Sequence, residues 1–286
     1  AWAADGRSIV VTVTEPHSTR IAELWRYDVA SGQGTRLVPN SNGPAQPLVS
    51  APPPGPYGAW PSPDGASLWF TAVTRPRNFT AGKKYPVILV VYAGPTSKMV
   101  SATARGYLPD QWMADQGYVV VRIDGRGTPW RGRAWERAVK GNLIDTALAD
   151  QISALQALAK QVPQMDLTRV GVSGWSFGGY FAAMAAIRRP DVFRCGVVGA
   201  PEITWENYDT HYTERYMGFP TQAGNWKGYE KSDLTKTAQN FMGRDFFLIH
   251  GTADDNVHFQ QSMVLTRALV DANVIFRQQV SIILSA

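Results

Sequence analysis

From Lys84 onward, short apolar runs alternate with longer stretches of helical composition. The runs Pro86–Tyr92, Tyr118–Ile123, Arg169–Val172, Cys195–Val198, Asp245–His250 and Val274–Val280 are too short for helices. They are also apolar enough to be strands buried on both faces. Between them, about Asp145–Gln161, Phe177–Arg188 and Gln260–Asp271 carry the alanine- and leucine-rich pattern of helices. Strand and helix signals in alternation predict an α/β fold with a doubly wound, mostly parallel sheet. The chain before Ala81 reads differently. Ala4-Asp5-Gly6-Arg7-Ser8-Ile9-Val10-Val11 returns in altered form as Pro63-Asp64-Gly65-Ala66-Ser67-Leu68-Trp69-Phe70. Each is a turn feeding a strand, and Leu24–Gln33 adds a strand and hairpin. Such units resemble β-propeller blades, with Pro52–Pro56 as a linker. The expected division is 1–80, partial propeller blades and linker, and 81–286, the α/β domain.

Composition narrows the class without naming a chemistry. The 286 residues are 44% hydrophobic, enough to bury a sizeable core. The net charge of +5 gathers in Arg122, Arg126, Arg131, Arg133 and Arg137. We read these as a solvated loop beside a cleft, and expect no nucleic-acid partner. The single Cys195 excludes an internal disulfide, and its apolar surroundings predict a core position. No run of eighteen apolar residues occurs, so no transmembrane helix is expected. The start lacks an initiator Met and a signal peptide, so residues are expected to precede Ala1.

The chemistry lies in three places. Gly174-Trp175-Ser176-Phe177-Gly178 is G-x-S-x-G between a strand and a helix, the nucleophile elbow of α/β-hydrolases. The turn lifts the Ser176 hydroxyl clear of the sheet, and the Phe177 N–H would face the developing oxyanion. Next in chain order should come an acid. His250-Gly251-Thr252-Ala253-Asp254-Asp255-Asn256-Val257 follows a buried strand, where open α/β sheets place their sites. Asp254 is the candidate acid, with capping of the helix near Phe259 as the other reading and Asp255 the expected cap. Of the four histidines, His17 and His211 precede the acid, His250 ends a strand where a packed role is expected, and His258 lies too near Asp254. Trp205, Tyr208 and Tyr212 are spaced to share one helix face, as a core stripe or as the walls of an apolar pocket.

Three motifs carry a family resemblance: Gly174–Tyr180, Tyr212–Gly218 and His250–Gln261. From about Lys84 to about Gln279 the chain resembles the catalytic domain of the dipeptidyl peptidase branch of the prolyl oligopeptidase family of serine peptidases. The resemblance implies an α/β-hydrolase domain, truncated here at its C-terminal end and preceded by a propeller remnant. It implies a serine exopeptidase that releases Xaa-Pro or Xaa-Ala dipeptides from peptide N-termini, with no metal and no cofactor. Ser176 matches the nucleophile, Asp254 the triad acid, and Tyr92 the hydroxyl completing the oxyanion hole beside Phe177. Trp205, Tyr208, Tyr212 and Val257 match the proline pocket, and Asn256 a side chain that holds a substrate carbonyl. The triad histidine would fall at or beyond Ala286, so the chain alone is expected to be nearly inactive.

The partners implied are peptides with Pro or Ala second, and the intact protein would be periplasmic or extracellular rather than cytoplasmic, with a homodimer allowed. Two positions depart from the pattern: Phe177 replaces a tyrosine, and Glu202 stands where an aliphatic pocket residue is expected. A carboxylate at 202 would narrow or polarise the pocket, or point outward. No Glu-Glu pair occurs to hold a free amino terminus. The alternatives are an oligopeptidase or acylaminoacyl peptidase of the same family, or a non-catalytic peptide-binding module.

Overall fold

A computed structural model describes residues 7–13, 23–36, 58–61, 68–101 and 104–282. The strands are β1 (Ser8–Val13), β2 (Glu23–Asp28), β3 (Gly34–Arg36), β4 (Gly58–Pro61), β5 (Leu68–Thr74), β6 (Tyr85–Val91), β7 (Val119–Asp124), β8 (Met165–Trp175), β9 (Phe193–Gly199), β10 (Asp245–Gly251) and β11 (Arg277–Ser281). The helices are α1 (Leu108–Asp115), α2 (Arg133–Glu136), α3 (Asp145–Gln161), α4 (Phe177–Arg188), α5 (Thr210–Met217), α6 (Trp226–Ser232) and α7 (Gln260–Asp271). The three long helices read from the sequence match α3, α4 and α7 end for end. The last strand starts at Arg277, three residues later than its apolar run suggests.

Eight strands form one sheet in the order β11-β10-β9-β8-β6-β7-β5-β4. From β11 to β7 every pairing is parallel, while β5 and β4 add an antiparallel edge. The sheet therefore takes in strands on both sides of residue 80. Leu68–Thr74, which the sequence suggests as the strand of a second propeller unit, is hydrogen-bonded to β7 of the main sheet. Thr71 to Thr74 are buried there. β1, β2 and β3 form a separate antiparallel sheet. The turn residues Ala4–Gly6 and Pro63–Ser67, the proline-rich Pro52–Pro56, His17 and the last four residues lie outside the described residues.

The core sits where α4 meets β8 and β9. Phe177 through Ile187 are all buried, and the alanines and glycines of α4 let its backbone reach the sheet. Side chains on β9 alternate between two surroundings. Gly196 faces Ala182 and Ala186 of α4. Cys195 and Val197 line a groove of about 340 Å³ together with Ile88, Gly171 and Ser173. Cys195 is thus exposed, not a core residue. Its immediate neighbour Gly196 belongs to the α4 side of the strand, and a run of similar residues does not reveal which side each takes.

The arginine cluster is largely tied inward. Arg122 makes a two-point ion pair with the buried Asp110 at 2.6 Å, and Arg126 pairs with the buried Asp150 at 2.7 Å. Arg131 lies 4.0 Å over the Trp135 ring. Among the described residues no helix is long and apolar enough to cross a membrane.

Candidate active site

Ser176 occupies the one residue between the end of β8 and the start of α4, with φ +55° and ψ −125°. A side chain there is strained by about 1–3 kcal/mol, and the neighbouring packing holds it. The Ser176 N–H donates to the Gly199 carbonyl at 2.9 Å, and the Tyr180 N–H donates to the Ser176 carbonyl at 3.0 Å. Added Cβ atoms would lie 2.2 Å from the Gly178 carbonyl oxygen at Gly174, 2.2 Å from the Val91 oxygen at Gly178, and 2.1 Å from the Gly199 oxygen at Gly179. The three glycines are close-approach positions, where strand, turn and helix touch backbone to backbone. The Phe177 N–H is one of the first amides of α4, which have no acceptor within the helix.

Tyr92 directly follows β6, and the loop it starts is strained at Ala93 (φ +62°) and Thr96 (φ +77°). Its ring lies 5.6 Å from the buried Phe177 ring, centroid to centroid. A Cβ on Gly94 would strike the Phe177 ring at 2.4 Å, so this loop is fitted around the residue after the serine. Burial, followed by the charge of Glu202, pushes the Tyr92 hydroxyl above its ordinary value of 10.0. It therefore remains a protonated donor across the neutral range.

Asp254 lies in the loop after β10 and is buried. Its Oδ1 accepts from the Asn256 N–H at 3.1 Å and the Val257 N–H at 3.0 Å, which folds the loop into a tight turn. Its Oδ2 is buried without a hydrogen-bond partner. Asp255 is exposed and does not cap α7, whose N-terminus carries no side-chain cap. The loop turn on Asp254 orders the approach to that helix instead.

His250 Nε2 lies 2.8 Å from the Val257 carbonyl and 3.5 Å from Asp254 Oδ2, so its proton belongs to the carbonyl. Nδ1 then accepts from Ser262 Oγ at 2.7 Å. Burial lowers its pKa below the ordinary 6.5 and keeps it neutral. It is the packed histidine the sequence suggests. His211 and His258 are exposed.

The aromatic residues converge, but not on one helix face as their spacing suggests. A 3₁₀ turn, Trp205–Asn207, ends at the extended Tyr208, and α5 begins anew with Asp209 as its cap, accepting from the Tyr212 N–H at 2.7 Å. The break brings all three rings together. Trp205 stacks on Tyr212 with centroids 6.1 Å apart, and Tyr208 stands edge-on to both at 5.9 and 5.4 Å. Trp205 is buried against Phe177, while Tyr208 and Tyr212 are half-buried. The Tyr208 hydroxyl donates to Asn256 Oδ1 at 3.0 Å, and Val257 is fully buried. Burial raises the Tyr208 hydroxyl to about 12 and raises that of Tyr212 as well.

Glu202 completes the site. Its side chain is buried, and its Oε1 accepts from Ser176 Oγ at 3.0 Å. Of the two outcomes the sequence allows at this position, inward or outward, the carboxyl points inward. Ala200, at φ +37° and bonded through its N–H to the Ile249 carbonyl at 2.7 Å, starts the turn that carries it there. Gln261 holds the other side of that turn. Its Oε1 accepts from the Ile203 and Thr204 N–H groups at 2.9 and 3.0 Å, and its Nε2 donates to the Thr204 carbonyl at 3.1 Å. The sequence marks Gln261 only as the end of a motif; its buried amide accounts for it.

Residues from the loops after β6, β8, β9 and β10, with Tyr212 of α5, thus share one site. Ser176 and Phe177 meet Tyr92 on one side and Glu202 on another, with Trp205, Tyr208 and Tyr212 beyond, and Tyr208 reaches Asn256 beside Asp254. The profile of the prolyl oligopeptidase family matches residues 108–282. The chain is 40% identical to dipeptidyl peptidase 4 of Bos taurus over 213 residues, 74% of this chain and 28% of that protein. It is 38% identical to the venom dipeptidyl peptidase 4 of Apis mellifera over 205 residues, 71% of this chain and 26% of that one. The crystal structure of Porphyromonas gingivalis dipeptidyl peptidase 4 matches with a TM-score of 0.86 at 28% identity, over 100% of this chain and 40% of that one. The chain therefore spans less than a third of the curated relatives it matches.

Proposed function

The chain belongs to the prolyl oligopeptidase family, and on that footing we propose that it carries the catalytic centre of a serine exopeptidase releasing Xaa-Pro or Xaa-Ala dipeptides. The observation that carries the reading is Ser176 at φ +55° on a strand–helix turn, beside Tyr92 and a cluster of aromatic rings. Ser176 Oγ attacks the carbonyl carbon of the second substrate residue. The Phe177 N–H and the Tyr92 hydroxyl stabilise the resulting oxyanion, which is worth about 3–4 kcal/mol per donor in such sites. Asp254 serves as the acid that orients a histidine base. The Trp205, Tyr208 and Tyr212 rings with Val257 receive the proline ring, whose compact apolar shape suits flat aromatic walls. Asn256 holds a carbonyl of the substrate. Water then cleaves the acyl-enzyme and frees the dipeptide. We assign the separate sheet β1–β3 to the part of the protein that precedes this domain, as a piece of a propeller blade.

The test is dipeptide release from Gly-Pro, Ala-Pro, Gly-Ala and Gly-Leu chromogenic amides by the protein expressed from its complete gene, with Ser176→Ala as control. Cleavage confined to the Pro and Ala substrates and lost in the control supports the reading. Cleavage of internal peptide bonds instead would favour the oligopeptidase alternative, and binding without turnover the peptide-binding one.

A further inference from the structure

The loop that begins at Tyr92 is held at its far end by a side chain with no part in the chemistry described so far. Asp124, the last residue of β7, is fully buried. Its Oδ1 accepts from the Met99 N–H at 2.8 Å and its Oδ2 from the Val100 N–H at 3.0 Å. Arg122, on the same strand, donates to the Met99 carbonyl at 3.4 Å. Lys98, Arg122 and Arg131 act on Asp124 and favour its ionised form. A carboxylate bonded to two consecutive amides is a firm anchor, because such charge-assisted bonds are about twice as strong as neutral ones.

Six residues separate Tyr92 from Met99. They do not run straight. Ala93 and Thr96 both have positive φ, and the Thr96 and Ser97 side chains come back to act on the Tyr92 hydroxyl. Strained backbone of this kind persists only where its surroundings over-determine it. Near Tyr92 the packing of Gly94 on the Phe177 ring does so. At the far end Asp124 does.

We propose that Asp124 is a positioning residue of the oxyanion hole: by fixing the Met99 and Val100 amides it holds the Tyr92 loop in the form that presents the phenol hydroxyl beside the Phe177 N–H. The proposal rests on the reading that Tyr92 donates to the oxyanion, and not on which peptide is cleaved. In this role Asp124 touches no reacting atom and exchanges no proton. Its place at the end of β7 is what suits it to the task. β7 and β8 flank β6 in one parallel sheet, so Asp124, Tyr92 and Ser176 all stand at strand ends of the same rigid frame. A misplacement of about 1 Å at a reacting centre can cost about 100-fold in rate. A loop tied to that frame at both ends keeps its hydroxyl within such a tolerance. If Asp124 served the fold alone, its loss would be indifferent to whether residue 92 carries a hydroxyl.

The test is a double-mutant cycle on the protein expressed from its complete gene, with Asp124→Asn and Tyr92→Phe alone and together. Turnover is counted per serine labelled to completion by a fluorophosphonate, so that unfolded chains do not enter. Asparagine keeps the side-chain shape but sets a donor against one of the two N–H groups. Asp124→Asn should lower kcat by about 10- to 100-fold and move KM by less than about threefold, as the loss of an interaction made only in the transition state does. Tyr92→Phe should lower kcat by about 100-fold or more. In that background Asp124→Asn should cost less than about threefold, since no hydroxyl is left to misplace. An equal loss in both backgrounds overturns the proposal, and so does an Asp124→Asn enzyme with the parent's kcat. Should Asp124→Asn fail to fold, Val100→Pro removes one of the two donors from the loop side and takes its place in the cycle. Unfolding in both variants shows an anchor of the fold alone and also overturns the proposal. A Tyr92→Phe enzyme as fast as the parent removes the oxyanion reading, and this inference with it. A parent that the probe labels but that releases no Pro dipeptide removes only the dipeptidase reading, and the same cycle is then read from labelling rates.

Discussion

The buried carboxyl of Glu202 should make folding stability fall as pH rises, and Glu202→Gln should abolish that part of the fall. In the folded chain burial holds the Glu202 acid up at about 8, against an ordinary 4.5. Between those values the folded chain keeps a proton that the unfolded chain has lost, so unfolding is favoured progressively as pH rises. At about 1.36 kcal/mol per pH unit the full span is worth about 5 kcal/mol. That is a large part of a typical folding margin of about 5–15 kcal/mol. A glutamine of nearly the same shape has no proton to lose. The stability of Glu202→Gln relative to the parent should therefore climb by several kcal/mol from pH 4.5 to pH 8.5 and stay level above it. Asp110 and Asp124, whose acids burial also raises, cancel in the comparison. Guanidinium unfolding followed by tryptophan fluorescence at pH 4.5, 6, 7.5 and 9 reads the difference directly. If the two stability profiles run parallel within about 1 kcal/mol, Glu202 is solvated or paired in the folded chain, and the buried geometry argued above is wrong.

Four further outcomes are expected. Gly179→Ala would place a methyl group 2.1 Å from the Gly199 carbonyl oxygen, backbone against backbone. It should cost more than about 4 kcal/mol, seen as loss of soluble protein or of the thermal transition. Arg122→Ala strands the buried Asp110 carboxylate and should cost about 3–5 kcal/mol by denaturant titration, more at pH 8 than at pH 5, since Asp110 can escape its charge only by taking a proton. Cys195 should react with a thiol reagent in the folded chain, as its exposed place on β9 requires, and reaction only after denaturation would contradict that placement. In the dipeptidase assay Glu202→Val should raise the preference for proline over alanine, because it exchanges a carboxyl for an apolar wall beside Tyr92, Tyr208 and Tyr212. An unchanged ratio would separate Glu202 from the pocket.

Much of this molecule is local, and what is local was legible. The limits of α3, α4 and α7 follow from helical composition bounded by polar or turn residues, and the parallel strands from short apolar runs buried on both faces. Ser176 could be found because a strained strand–turn–helix needs small residues at fixed offsets, and those offsets survive in the chain as Gly174, Gly178 and Gly179. The place of Asp254 in the loop after β10 follows from the buried strand before it. Other features depend on who sits across the sheet or across a loop, which no single segment encodes. Leu68–Thr74 has the pattern of any strand, and only its pairing with β7 makes it an edge of the main sheet. Cys195 looks apolar in its run, yet the pleat turns it away from α4. Trp205, Tyr208 and Tyr212 read as one helical stripe, whereas an extended residue at Tyr208 that interrupts the helix and a cap at Asp209 gather their rings. The sequence marked Glu202 as an anomaly without a direction. Its aim at Ser176 is set by the strained Ala200, the β10 carbonyl it bonds and the amide of Gln261 nearly sixty residues away. Those contacts exist only once β9, β10 and α7 are packed, because a buried carboxyl is held in place by backbone groups from elements that are remote in the chain.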